Sequence, residues 1–252
     1  MVLTQKLTKA EKKAARAQKK NCSHSLGIDL KSIVPLTQNQ SQVFEDFDHN
    51  YNLFLYGYAG TGKSFIGLYL ALDDVLDTSQ RYNKVVIIRS VVPTRDMGFL
   101  PGNSKEKAKE YEAPYHEICS ELFGRGDAYT ILKQKGVVEF ITTSFVRGIT
   151  LRNCVVVVDE IQNMTKEELN SIITRIGENC RVILCGDVRQ CDLKPNRETS
   201  GISDFIQIIK HMKSFSFIEF QIEDIVRGPL VKEYIIARYR LEDEGSIKPI
   251  HV

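Results

Sequence analysis

No stretch of this 252-residue sequence is apolar for the ~20 residues that a helical membrane span requires. The N-terminus is basic but lacks an apolar core, so it does not read as a secretory signal. Six cysteines (Cys22, Cys119, Cys154, Cys180, Cys185, Cys191) are scattered with no C-x-x-C pair, so neither a disulfide framework nor a zinc site is expected. Tryptophan is absent, and there is no internal repeat. Nor is there a strong overall charge of one sign. The net charge is +2, although residues 1–20 carry +6 and the other 232 residues −4. From these features we expect a soluble globular protein of a reducing, cytoplasmic setting, with no membrane partner and a basic N-terminal arm.

What is present begins at Tyr51. A short apolar run, Leu53–Tyr56, breaks into Gly57-Tyr58-Ala59-Gly60-Thr61-Gly62-Lys63-Ser64. That is G-x-x-x-x-G-K-[ST], a phosphate-binding loop. Its glycines free backbone N–H groups to face phosphate oxygens. Lys63 supplies a cation for the β- and γ-phosphates, and the Ser64 hydroxyl is a hard oxygen for Mg²⁺. The apolar spacing of the following residues predicts a helix, whose N-terminus favours anions.

A second signal lies a hundred residues on. Asn153–Asp159, NCVVVVD, reads as a fully buried strand ending in Asp159-Glu160. It is expected beside the P-loop strand, with Asp159 in the Mg²⁺ shell and Glu160 orienting or polarising the attacking water. Thr165 and Glu168 form a capping box for the next helix. Gln162 and Asn163 are expected to face the same cleft. Arg181–Cys185 is a further strand, followed by Asp187 and Gln190, where an amide can sense the γ-phosphate. Arg227, on a turn before Gly228-Pro229, is either an arginine finger or a surface residue. Gln40 follows Thr37 by three residues: either it closes a capping box, or its amide pairs with an adenine edge.

Other segments stay open between two readings. Thr8–Lys20 is a solvated tail or a contact for nucleic-acid phosphates. Arg89 and Arg95, after the strand Lys84–Ile88, are phosphate contacts or plain surface charge. Ser104–Leu122 is a polar helix whose Tyr111 and Tyr115, among lysines, suit base stacking, or is simply solvated. Gly136–Thr142 and Phe215–Phe220 are strands, Thr143–Arg152 is a loop, and Ser200–Lys210 and the region after Gly228 are helices.

Taken together, GYAGTGKS, RSVVPTRDMGFLPG, VRGITL, VVVVDEIQN, CGDVRQCDL and EDIVRGPLV resemble the PhoH-like family of P-loop ATPases. That family is similar to the first RecA-like domain of superfamily 1 helicases. The resemblance runs from Pro35 to Tyr239. It implies Gln40 at adenine, Lys63 and Ser64 in the Walker A roles, Asp159 and Glu160 in the Walker B roles, Gln190 as γ-phosphate sensor and Arg227 as finger. Arg89 and Arg147 fall at positions that carry arginine. Tyr58 stands where the family usually has proline, which should loosen the loop. The compact form with a basic arm resembles a phage-encoded member, which would place it in the host cytoplasm. No PIN-like nuclease or RNA-binding segment is recognised, so a ribonuclease role is not expected.

The expected architecture is a basic arm over residues 1–22, a single RecA-like α/β domain over 23–241, and a tail over 242–252. The domain should hold a mainly parallel sheet with helices on both faces. The implied activity is Mg²⁺-dependent ATP hydrolysis coupled to binding or remodelling of RNA or single-stranded DNA. The alternative is an ATP-gated binding switch with negligible turnover; a nucleotide kinase is disfavoured because no arginine-rich lid is evident. The length holds only one RecA-like domain, so Arg227 is expected to complete a neighbour's site in a homo-oligomeric ring, a hexamer.

Overall fold

Buried parallel strands need long apolar runs and a crossover between each pair, and the chain supplies both. The computed structural model describes residues 27–77, 81–90, 104–187 and 202–247. The basic arm, Arg95, Gln190 and Cys191 lie outside the described residues.

In chain order the elements are α1 (Gln38–Asp48), β1 (Asn52–Gly57), α2 (Lys63–Val75), β2 (Lys84–Arg89), α3 (Ser104–Phe123) and α4 (Ala128–Gln134). Then come β3 (Val138–Thr142), α5 (Thr143–Val146), β4 (Cys154–Asp159), α6 (Lys166–Thr174), β5 (Cys180–Gly186), α7 (Ile202–Lys210), β6 (Phe215–Phe220) and α8 (Pro229–Asp243). The six strands form one sheet in the order β3-β2-β4-β5-β1-β6, with every pairing parallel. This is the single α/β domain with a parallel sheet that the sequence led us to expect. Among the described residues, no helix is long and apolar enough to cross a membrane.

The alternation of side chains along each strand divides the core into two layers. Leu53, Leu55, Val85, Ile87, Val155, Val157, Ile183 and Cys185 point to one face, under α1, α2, α3 and α4. Phe54, Val86, Ile88, Val156, Val158, Val182 and Leu184 point to the other, under α5, α6 and α7. Cys154 and Cys185 are fully buried, as small core residues. The capping box at Thr165 and Glu168 forms and starts α6.

Three expectations change. The strand carrying Asp159, β4, is not next to the P-loop strand β1: β5 pairs with both and separates them. Thr143–Arg152 is not all loop, because its first four residues make α5. The capping box at Thr37 is half-formed. Thr37 Oγ1 accepts from the Gln40 amide N–H at 3.3 Å, but Gln40 Oε1 accepts from Leu36 N at 2.8 Å.

Arg181, at the start of β5, ties the first layer together. Its side chain is 6% exposed and its Nη1 sits 2.9 Å from Asp74 Oδ2 on α2. Nη2 donates to the Phe47 carbonyl, Nε donates to the Tyr51 carbonyl at 3.3 Å, and the guanidinium lies over the Phe47 ring. One side chain thereby joins α1, α2, the residue leading into β1, and β5. Removing its carboxylate leaves a buried cation with no charged partner, which costs more than an exposed pair is worth. Asp74→Ala should therefore lower the unfolding free energy by about 2 kcal/mol. Urea denaturation checks this, and a change under about 0.5 kcal/mol would show that Arg181 is held without it.

Candidate functional site

The loop between β1 and α2 has an unusual backbone because its residues permit it. Gly57, Gly60 and Gly62 all take positive φ, at 120°, 73° and 85°. At Gly57 a Cβ would come within 2.1 Å of the Phe220 carbonyl oxygen of β6, so no larger residue fits. Gly62 is left-handed and makes no side-chain cap, which leaves the first turn of α2 with N–H groups available to an anion.

The loop is strapped from outside. Tyr58 N donates to the Phe220 carbonyl at 3.2 Å and Val226 N to the Gly60 carbonyl at 3.0 Å. Gln40 Nε2 donates to the Thr61 carbonyl at 3.1 Å, and Thr61 Oγ1 to the Tyr58 carbonyl at 2.9 Å. Ala59, at the loop's outer bend, is half-buried. Lys63 is folded inward: Nζ donates to the carbonyls of Gly57 at 3.0 Å and Tyr58 at 2.5 Å. Burial lowers the pKa of this ammonium, and the carboxylates of Asp187, Glu160 and Asp159 act against that. Phosphate oxygens, with full negative charge, are stronger acceptors for Lys63 than those carbonyls.

Asp159 ends β4 and is 4% exposed. Its Oδ1 accepts from Ser64 Oγ at 2.6 Å, although β5 lies between their elements. Its Oδ2 accepts from the buried Tyr115 hydroxyl of α3 at 2.9 Å. Glu160 follows in the left-handed region, φ 55° and ψ 45°, a conformation that a non-glycine residue holds only under constraint. Burial, then the charge of Asp159, pushes its carboxyl pKa up, while Arg89 and the Gln162 amide pull it down. Arg89 Nη2 lies 4.0 Å from Glu160 Oε1.

Gln162 is 2% exposed. Its Nε2 donates to Glu160 Oε2, and its Oε1 accepts from Asp187 N at 3.0 Å. The amide expected to face the cleft instead bridges the ends of β4 and β5. Asp187 Oδ2 in turn accepts from the Tyr239 hydroxyl of α8 at 2.8 Å. The Tyr239 ring meets Tyr58 edge-on, with centroids 4.6 Å apart.

Thus Lys63, Ser64, Asp159 and Glu160 converge where the sequence expects. Gln40 reaches the loop through its side-chain amide, which donates to the Thr61 carbonyl. Arg227 is exposed, and its stem lies against its own chain's Gly60, where a Cβ would come within 2.8 Å of Arg227 Cγ. The expectation that it serves a neighbour therefore meets a geometry in which it lies on its own P-loop, drawn there by the Val226–Gly60 hydrogen bond. Arg147 is exposed beyond α5. Arg89 turns to Glu160 and also lies over the Tyr111 ring.

Tyr115 is the clearest correction: it is 1% exposed and not a stacking platform for bases. The spacing of Tyr115, Cys119 and Leu122, all buried, follows one helical face and could have marked it as inward-facing. Tyr239 and the bridging role of Gln162 have no comparable signal in the sequence.

Among the described residues, no three of His, Cys, Asp and Glu are grouped to hold a metal. The Ser64 hydroxyl and Asp159 carboxylate converge at the mouth of the glycine cradle, and that oxygen pair fits Mg²⁺, which takes few protein ligands beside water and phosphate.

The family model described as "PhoH-like protein" matches residues 32–239. A PhoH-like protein of Mycobacterium tuberculosis is 33% identical over 217 residues, 86% of this chain and 60% of the relative. One of Bacillus subtilis is 32% identical over 208 residues, 82% and 64%. Protein PhoH of Escherichia coli is 30% identical over 211 residues, 83% and 59%. The chain thus spans about three-fifths of the length of these relatives. Among solved structures, the large terminase of a thermophilic bacteriophage, in complex with ADP, aligns at TM-score 0.45 and 12% identity, covering 82% of this chain and 50% of that one. The Hef helicase domain of Pyrococcus furiosus aligns at TM-score 0.44 and 13% identity, 75% and 39%.

The left-handed backbone at Glu160 can be tested apart from its carboxylate. Glu160→Gly and Glu160→Ala both delete the acid, but only glycine relieves the positive φ. The glycine variant should be more stable than the alanine variant by about 1 kcal/mol. Paired thermal and urea unfolding measures this, and equal stabilities would mean that the turn relaxes without its side chain.

Proposed function

The chain belongs to the PhoH-like family, and from that premise and the site's geometry we propose that it is a Mg²⁺-dependent ATPase whose cycle acts on single-stranded nucleic acid, RNA foremost. The observation that carries the reading is the Ser64–Asp159 contact at 2.6 Å, with Lys63 and Glu160 beside it. A phosphate cradle, a hard-oxygen pair and a second carboxylate meet at the carboxyl ends of parallel strands, where such sheets bind ligands.

In this reading the loop N–H groups and Lys63 would hold the triphosphate, and Ser64 and Asp159 would hold Mg²⁺, which would supply charge neutralisation of the phosphates. Glu160 orients the attacking water and takes up its proton. Gln162 and Arg89 fix the Glu160 carboxylate, so that positioning does most of the work. Arg227, on the rim of its own loop, steadies charge developing on the transferred phosphoryl. Gln190, outside the described residues, is assigned the γ-phosphate sensor by the family resemblance. Gln40 has one amide hydrogen committed to Thr61 and a second to offer to adenine. The nucleic-acid half of the proposal rests on the +6 charge of residues 1–20.

A second reading, an ATP-gated binding switch with negligible turnover, is favoured by one observation: the Glu160 carboxylate is already engaged by Gln162 and lies near Arg89. Phosphate release with and without single-stranded RNA or DNA separates the two. Wild type should turn over, and faster with nucleic acid. Lys63→Ala and Glu160→Gln should each be slower by at least about 100-fold, the first as for loss of an electrostatic stabiliser and the second as for loss of a general acid–base group. Glu160→Gln should still bind ATP. Wild-type turnover no greater than that of the variants leaves the switch as the function.

We further propose self-association into a ring, a hexamer. Support comes from α8, where Leu230, Tyr234 and Leu241 are 79%, 59% and 40% exposed and share one helical stripe. In sedimentation velocity the wild type should run well above the 28.7 kDa chain mass, and Leu230→Glu with Tyr234→Glu should return it to monomer. A wild-type monomer with full ATPase activity rejects the ring.

A further inference from the structure

Asp159 has two carboxylate oxygens, and the structure gives each a different partner. Oδ1 faces Ser64 at the P-loop. Oδ2 faces away, into the layer under α3, where Tyr115 donates to it at 2.9 Å. Tyr115 is 1% exposed and Asp159 4%, so water does not compete for this bond. Tyr115 also packs against Phe140 of β3, with ring centroids 5.8 Å apart, which limits the ring to its present place. Burial, followed by the charge of Asp159, raises the phenol's pKa well above its usual value.

From this geometry we propose that Tyr115 is a positioning residue for the metal pole: it locks the Asp159 carboxylate so that a single oxygen, Oδ1, is presented toward Ser64. Without the phenolic hydroxyl the carboxylate is free to rotate about χ2, whose wells are broad, and Oδ2 is left buried with no donor from α3. Partners that orient a ligating carboxylate affect metal affinity about as strongly as some ligands do. The lock has a second consequence. Tyr115 belongs to α3, and Tyr111 one turn earlier lies beside Arg89, itself 4.0 Å from Glu160. A shift of α3 along its axis would disturb the acid that holds the metal and the acid that faces water together.

This inference rests on the reading of Ser64 and Asp159 as the Mg²⁺ pair. The test uses the full chain and measures ADP binding by calorimetry with MgCl₂ and with EDTA, so that no turnover is needed. Tyr115→Phe keeps the ring and removes one oxygen. Tyr129→Phe is the control, since it also removes a hydroxyl in a buried hydrogen bond, to Glu112 Oε2 at 2.9 Å, but at a distance from the loop. Wild type should bind ADP more tightly with Mg²⁺. Tyr115→Phe should lose about 10-fold of that Mg²⁺-dependent gain while binding ADP in EDTA as wild type does. Tyr129→Phe should keep the whole gain. A Tyr115→Phe protein with the wild-type gain overturns the positioning role and leaves the Mg²⁺ pair standing. Equal losses in both variants also overturn it, because a general weakening of the α3 layer then accounts for them. A wild type with no Mg²⁺-dependent gain overturns the pair and the inference together.

Discussion

The structure depends on one reach: Ser64 must meet Asp159 although a whole strand lies between them. Adjacent strands stand ~4.8 Å apart, so the ends of β1 and β4 are separated by roughly twice that. The helix carrying Ser64 closes the gap by leaning across β5 and packing against β4. That crossing explains residues that otherwise look incidental. At Gly67 a Cβ would stand 3.2 Å from Cys185 Sγ and from Ile183 Cγ2, so the absence of a side chain lets α2 lie close on β5. Gly186, at the end of β5, would place a Cβ 2.4 Å from Ile161 Cγ1, and so leaves room for the turn after Asp159. The left-handed Glu160 is the other half of that turn: the chain reverses at once, and Gln162 comes back over the end of β5 to reach Asp187.

Much of this could be read from the sequence, for reasons that also mark where reading stops. The P-loop was legible because its function constrains backbone and side chain together within eight residues. β4 was legible because a run of valines ending in two acids has few other uses. The order of strands was not legible, because nothing in a strand's own residues names its neighbour. A sheet with β4 beside β1 and one with β5 between them have the same local signals. The two differ only in how far α2 leans, and that is recorded in Gly67 and Gly186, which alone read as ordinary glycines. Tyr115 was half-legible: its helical face was readable, but its polar tip in an aromatic-and-lysine context suggested solvent and bases. Gln40 was ambiguous because an amide serves a cap, a loop carbonyl or a base equally well.

Tyr58 shows how a P-loop position can be held from another element of the fold. Where the resembling family usually places proline, φ is fixed by covalent geometry, and its replacement should loosen the loop. Here the Tyr58 ring stands edge-on to Tyr239 at an interplanar angle of 88°, an arrangement worth about 0.5–1.5 kcal/mol beyond the area it buries. Tyr239 is itself fixed by Asp187, at the end of the strand that α2 crosses. The loop is thus held by a contact between elements. Such a contact holds only while α8 is docked. The same helix also lies against the loop directly, since a Cβ at Gly60 would stand 3.4 Å from Ile235 Cδ1.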